Sequence, residues 1–307
     1  MAGSAGGDPA RWRLRLPRDR ELVLDAHPRV MGVLNLTPDS FSDGGRWLEP
    51  ERAVAHAREM LDGGAQLLDL GAESTRPAGR AYGAGAPFVS ADEELRRLLP
   101  VLGALRAATD APLSVDTRKG EVARAALAAG ADLVNDVSGG ADPELLAAVV
   151  AAGCPLVLMH SRGDVADMHR HARYDDVVAE VRDELAAAMA RAEAAGVARP
   201  QIVLDPGLGF AKTGRHNLEL LRRLDVLQSL GRPLLVGASR KSFLGEITGQ
   251  PPAARLAGSL AAAAWSARAG VAMLRVHDVA ETAQLLAVWA AIEGATDGAG
   301  GARGGAA

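Results

Sequence analysis

Apolar residues fall into short runs at regular intervals along this chain. Each run is followed by a polar or glycine-rich loop, then by a stretch with helical periodicity. The runs are Val30 to Leu34, Gln66 to Leu70, Pro112 to Val115, Asp132 to Val134, Pro155 to Met159, Ile202 to Leu204, Pro233 to Val236 and Val271 to Leu274. Short and almost continuously apolar, they read as strands buried on both faces. The segments between them, such as 51–62, 92–108 and 174–194, are rich in Ala, Leu, Arg and Glu and read as helices. Eight strands thus alternate strictly with eight helices. Each helix returns the chain to the same edge, so the strands must run parallel, and eight such units close into a barrel. An open doubly wound sheet is the competing architecture. It would carry a glycine-rich nucleotide fingerprint after its first strand, and Met31-Gly-Val-Leu-Asn-Leu36 has none. The expected fold is therefore α/β, a single-domain (β/α)8 TIM barrel over residues 11–293. Its first part, residues 11–25, alternates about a turn at Pro17 to Arg20 and predicts an N-terminal β-hairpin with one apolar face. The Gly/Ala-rich ends, 1–10 and 294–307, are expected to be disordered.

Composition narrows the function classes. A net charge of −4 argues against a nucleic-acid or membrane-surface partner, and no apolar stretch reaches membrane-spanning length. The single cysteine, Cys154, excludes an internal disulfide. It opens an apolar run and reads as a small buried strand residue in a protein of the reducing cytoplasm. The hairpin arginines read as a solvated strand face, because Asp19, Glu21 and Asp25 stand among them. Only three of the 34 basic residues are lysines, and Lys119, Lys212 and Lys241 all follow strand ends.

Chemistry collects at one end of the strands. The residues after the runs are Asn35; Glu73 to Arg76; Asp116; Asn135 and Asp136; His160; Asp205; Ser239 to Lys241; and Arg275, His277 and Asp278. The strand starts are bland by comparison. Asp116, Asp205 and Asn135 would be costly at a barrel mouth without donors to meet them, and an aminopyrimidinone edge would supply such donors. Arg76, Lys241, Arg275 and His277 form a cationic group suited to phosphate or pyrophosphate. Individually these residues have simpler readings. Asp136, Asp278 and Asp92 suit helix caps, as does Ser239, and His277 suits a structural hydrogen bond. His169 and His171 have strand-like ligand spacing but no third ligand nearby, which argues against a transition-metal site.

Seven blocks in order change that picture. Met31-Gly-Val-Leu-Asn-Leu-Thr-Pro-Asp-Ser-Phe-Ser-Asp-Gly-Gly45, Asp69-Leu-Gly-Ala-Glu-Ser-Thr-Arg-Pro77, Ser114-Val-Asp-Thr117, Asn135-Asp-Val-Ser-Gly139, Asp205-Pro-Gly-Leu-Gly-Phe-Ala-Lys212, Gly237-Ala-Ser-Arg-Lys-Ser-Phe243 and Arg275-Val-His-Asp-Val279 span residues 30–280. Together they resemble the dihydropteroate synthases. The resemblance implies condensation of 6-hydroxymethyl-7,8-dihydropterin pyrophosphate with 4-aminobenzoate, and a protein of the class that sulfonamides target. It implies that Asp116, Asn135, Asp205 and Lys241 hold the pterin ring, with Met159 and Phe210 as walls. Asn35, Arg275 and His277 match the anion site, where Asn35 would also ligate a Mg²⁺ ion. Phe41 and Asp43 match one mobile loop and Thr75, Arg76 and Pro77 another. With Lys241 and Ser242 these would enclose 4-aminobenzoate, and Asp43 would stabilise a transient cation. The catalytic group on this reading is Asp43, Lys241, Arg275 and His277. The loop from Ser161 to Arg173 is the least family-like part. A homodimer through the late helices, 255–269 and 279–293, is also implied.

Two other readings compete. A methyltetrahydrofolate–corrinoid methyltransferase would share the ring-binding residues but would not need the pyrophosphate clamp of Lys241, Arg275 and His277. A non-catalytic relative that binds a ligand or partner should have lost anion-site or loop residues, and here every matched position is filled.

Overall fold

The eight apolar runs form one parallel sheet that curls until its edges meet. In the computed structural model, which describes residues 12–37, 50–74, 88–164 and 167–294, a hairpin of β1 (Trp12–Leu16) and β2 (Arg20–Leu24) precedes that sheet. The strands then follow as β3 (Arg29–Asn35), β4 (Leu67–Gly71), β5 (Leu113–Asp116), β6 (Leu133–Asp136), β7 (Leu156–Met159), β8 (Ile202–Asp205), β9 (Leu235–Val236) and β10 (Met273–Val276). Spatial order runs β8-β7-β6-β5-β4-β3-β10-β9, all parallel. A parallel bridge between Leu204 and Leu234 joins the two ends and closes the barrel.

Outside lie α1 (Pro50–Asp62), α2 (Ala91–Ala108), α3 (Gly120–Ala128), α4 (Pro143–Ala152), α5 (Val177–Ala194), α6 (Gly214–Arg222), α7 (Leu224–Gln228), α8 (Ser242–Thr248), α9 (Leu256–Arg268) and α10 (Val279–Gly294). Strict one-to-one alternation therefore needs correction, because β8 and β9 are each followed by two helices. Arg223 leaves helical geometry at φ −124°, ψ 41° and splits α6 from α7. Gly249 ends α8 in the left-handed region, and Pro251 with Pro252 prevents α9 from continuing it. The last helix runs one residue past the expected boundary, to Gly294. The expectations for residues 1–10 and 295–307 lie outside the described residues.

The hairpin is the barrel's floor. Its alternation turns Leu14, Leu16, Leu22 and Leu24 onto Met31, Leu67, Leu133, Val157, Val203, Leu235 and Met273 at the lower end of the strands. Gln201, just before β8, fastens it by accepting from Arg15 N (2.9 Å) and donating to Arg15 O (2.6 Å). Two expectations fail here. The strand starts are not uniformly bland, because the fully buried Asp132 carboxylate binds Arg18 (2.5 Å), Arg20 and Arg106 (2.9 Å). The hairpin arginines are likewise not all solvated: Arg13 pairs with Glu21 at the surface, whereas Arg18 and Arg20 turn inward to this carboxylate. A buried charge draws any cation within reach, whatever its neighbours in sequence. Cys154 is buried as expected, although it precedes β7 rather than lying in it, and burial pushes its thiol up to about 12.

The expected helix caps also moved. Ser90, Asp142, Asp176 and Thr213 cap α2, α4, α5 and α6. Asp136 instead ties its own loop, accepting from Ser138 N (2.8 Å) and Gly140 N (2.6 Å). The Asp278 carboxylate faces Arg240 (Nε, 3.0 Å), and Ser239 bonds His277 rather than a helix start.

Candidate active site at the barrel mouth

Side-chain alternation stacks the barrel interior in layers. Above the apolar floor, two residues further along five strands, stand Asp69, Asn135, Met159, Asp205 and Arg275. Arg275 is the hub. Its Nε donates to Asp69 Oδ2 at 2.6 Å and its Nη2 to Asp116 Oδ2 at 2.8 Å. Asn135 Nδ2 donates to the same Asp69 oxygen at 3.1 Å. Burial lifts the Asp116 carboxyl to about 7 despite the opposing Arg275 charge. Burial works against the Arg275 charge as well, but Asp69 and Asp116 outweigh it and hold the guanidinium firmly protonated. Asn135 Oδ1, Asp69 Oδ1 and Ser114 Oγ are buried and have no hydrogen-bond partner among the described residues. Each leaves an unmet acceptor near the mouth.

The loop after β8 forms one wall. Asp205 Oδ1 accepts from Gly207 N at 2.7 Å, and burial raises its carboxyl above the ordinary range. Gly207 sits at φ 64°, and a Cβ there would lie 1.9 Å from the His160 carbonyl oxygen, so only glycine closes this turn. Lys241 reaches back over the loop. Its Nζ donates to the Leu208 carbonyl and stands 4.6 Å from the centre of the Phe210 ring. Burial lowers its pKa to about 8, with Asp205 pulling the other way. Behind the loop, Lys212 Nζ meets His160 Nδ1 at 2.8 Å and donates to the Phe210 carbonyl at 2.9 Å. His160 Nε2 lies 2.9 Å from Glu184, a carboxylate that Arg162 also grips. The carboxylate fixes the proton on Nε2, so Nδ1 accepts from Lys212. Burial and the Lys212 charge lower the His160 pKa to about 4 and keep the ring neutral.

Of the expected residues, Asp116, Asn135, Met159, Asp205, Phe210, Lys241, Arg275 and His277 converge on this end of the barrel, with Asn35 closing β3 and Ser242 opening α8. Phe41, Asp43, Thr75, Arg76 and Pro77 lie outside the described residues. The cationic cluster needs one correction. His277 sits at the rim beside Ser239 Oγ (Nδ1, 3.1 Å), and its desolvation at the crowded mouth, with Arg275 and Arg240 nearby, holds its pKa below the ordinary value. It offers a hydrogen bond rather than a positive charge. Lys119 is not part of the cluster either. It bridges Glu73 (2.8 Å) and the fully buried Glu94 (2.5 Å), beside the Arg118–Glu73 pair.

Across the mouth, Asp69, Asp116 and Asp205 face Arg275 and Lys241. The floor accepts N–H groups while cations stand beside it. Residues 31–277 match the family described as pterin binding enzyme. The chain belongs to this family of pterin-binding enzymes. A dihydropteroate synthase of Synechocystis is 47% identical over 261 residues, covering 84% of this chain and 88% of that protein. The structure of Xanthomonas albilineans dihydropteroate synthase with 4-aminobenzoic acid superposes with a TM-score of 0.85 at 48% identity, covering 94% of this chain and all of the other. That of the Yersinia pestis dihydropteroate synthase with a sulfonamide drug gives 0.83 at 42%, covering 90% and 97%.

Sequence reasoning missed one residue of the mouth network, Asp69, which accepts from both Asn135 and Arg275. It sits in mid-strand rather than at a strand end. The available signal was a carboxylate inside Leu67-Leu-Asp-Leu-Gly71, a segment buried throughout. The engagement of Lys212 with His160 had no signal, since 52 residues separate them.

Proposed function

We propose that this pterin-binding enzyme is a dihydropteroate synthase. It joins 6-hydroxymethyl-7,8-dihydropterin pyrophosphate to 4-aminobenzoate, yielding 7,8-dihydropteroate and pyrophosphate. The observation that carries this reading is the Asn135–Asp69–Arg275–Asp116 network, which leaves buried acceptors beside a fixed guanidinium. The acceptors suit the N–H-rich pterin edge, and the guanidinium suits the diphosphate. The family membership and the names of the relatives support the same assignment.

On this reading Asp116, Asn135 and Asp205 receive the ring's N–H groups, while Lys241 donates to a ring oxygen or nitrogen. Met159 and Phe210 wall the ring. Arg275 and the His277 N–H hold the diphosphate and take up its growing charge as the bond from the methylene carbon to the phosphate oxygen breaks. The electron pair leaves with pyrophosphate, and the pterin nitrogens share the positive charge left on the methylene. The neutral arylamine then forms the C–N bond and gives its proton to solvent. Positioning and charge stabilisation are the main terms in such a reaction, and no general base is required. Asp43 would stabilise the cation, and Phe41, Thr75, Arg76, Pro77 and Ser242 would enclose 4-aminobenzoate.

Among the described residues no group of three carboxylates, histidines or cysteines could hold a metal ion. The side-chain oxygen of Asn35 suits Mg²⁺, a hard ion that keeps mostly water and phosphate ligands. Bound there, Mg²⁺ would neutralise diphosphate charge. We also infer a homodimer, because Trp265 on α9 and Val288 and Ile292 on α10 expose large apolar surfaces (46%, 61% and 69%). No helix among the described residues is long and apolar enough to cross a membrane.

The test is pyrophosphate release from the pterin substrate with and without 4-aminobenzoate and Mg²⁺. Dihydropteroate formation that needs both would establish the reaction. Pterin binding without turnover would refute it in favour of a non-catalytic pterin-binding protein.

A further inference from the structure

Asp69 touches two site residues from opposite sides of the barrel. It is fully buried in the middle of β4, and a single oxygen, Oδ2, accepts from Arg275 of β10 and Asn135 of β6. A carboxylate only accepts hydrogen bonds, so it determines what each partner shows elsewhere. Because Asn135 gives its NH₂ to Asp69, its amide oxygen must point away, where it is buried and has no partner among the described residues. Because Arg275 spends Nε on Asp69 and Nη2 on Asp116, Nη1 remains, among the described residues, the group with no carboxylate partner.

We propose that Asp69 is a positioning residue that selects the ring specificity of the site, by forcing Asn135 to present an acceptor to the pterin edge while it holds Arg275 for the diphosphate. The proposal rests on the pterin-binding reading above.

Asparagine at position 69 can keep this arrangement, because its one oxygen can stand where Oδ2 accepts from both Arg275 (2.6 Å) and Asn135 (3.1 Å). Alanine or leucine at 69 offers no acceptor. The Asn135 NH₂ then loses its partner, and the amide is free to turn over and meet the ring's N–H groups with N–H instead of C=O. A buried donor facing a donor weakens binding by about 10- to 100-fold. Arg275 is still held by Asp116.

The experiment is calorimetric titration of wild type, D69N, D69A and D69L with 6-hydroxymethyl-7,8-dihydropterin and, separately, inorganic pyrophosphate with Mg²⁺. Circular dichroism and thermal melting show whether each variant is folded. D69A and D69L are expected to lose about 10- to 100-fold in pterin affinity and less than about fivefold in pyrophosphate affinity, because Asp116 still holds Arg275. D69N, which keeps the shared acceptor, should stay within about fivefold of wild type for the pterin. A folded D69A or D69L that binds the pterin as wild type does, or a folded D69N as weak as they are, would overturn the proposal. If wild type binds neither probe, the functional reading itself fails, and the inference with it. A purely structural role for Asp69 would lower the melting temperature and weaken both ligands together.

Discussion

Replacing Arg275 with methionine should cost more stability than its size suggests, and the cost should depend on pH. Methionine fills similar space but leaves Asp69 and Asp116, 0% and 9% exposed, without their shared cation. Removing one partner from a buried ion pair destabilises by about 3–5 kcal/mol, because the remaining charge is uncompensated. With a urea m-value of about 2–3 kcal/mol/M, the unfolding midpoint should fall by about 1–2 M at pH 8.5. The direction with pH follows from Asp116, whose folded pKa of about 7 already lies above its unfolded value. A carboxyl raised in this way favours the folded state at low pH, and that contribution is lost as pH rises through the folded value. Without Arg275 the folded value rises further, so near pH 6 the variant protonates the group and escapes much of the penalty. The assay is urea unfolding of both proteins at pH 6 and pH 8.5, followed by far-UV circular dichroism. A deficit below about 1 kcal/mol at pH 8.5, or one equal at both pH values, would show that Arg275 does not neutralise these carboxylates.

Three further outcomes follow from the same structure. Asp132→Ala should lower stability by about 3 kcal/mol by leaving Arg18, Arg20 and Arg106 facing one another, while KM for both substrates stays within error because the floor is remote from the mouth. Lys241 loses its proton as pH rises through about 8, so kcat/KM should fall on the alkaline side near that value, and Lys241→Arg should move the limb upward; an unshifted limb in the variant would rule Lys241 out as its source. Gly207→Ala, with its Cβ driven onto the His160 carbonyl, should displace the loop carrying Phe210 and raise the pterin KM more than that for 4-aminobenzoate, measurable by varying each substrate in turn.

Much of this protein was legible along the chain because strand burial and strand ends have local signatures. Parallel strands covered on both faces read as apolar runs, so all eight are visible along the chain. Barrel geometry then sends every strand's last residues to one end, and Asp116, Asn135, Asp205 and Arg275 could be assembled by position alone. The ordered blocks added the ring and anion roles. What the sequence could not decide were pairings across the barrel. Asp69 and Arg275 are 206 residues apart and meet only because β4 and β10 flank β3 in the closed sheet. Asp132 gathers three arginines from the hairpin and α2 because the floor folds under the strands. Which face an amide turns, whether a rim histidine is charged, and which lysine serves Glu73 and Glu94 rather than the mouth depend on burial and on the nearest charge. Those quantities belong to space rather than to order along the chain, and only the closed barrel determined them.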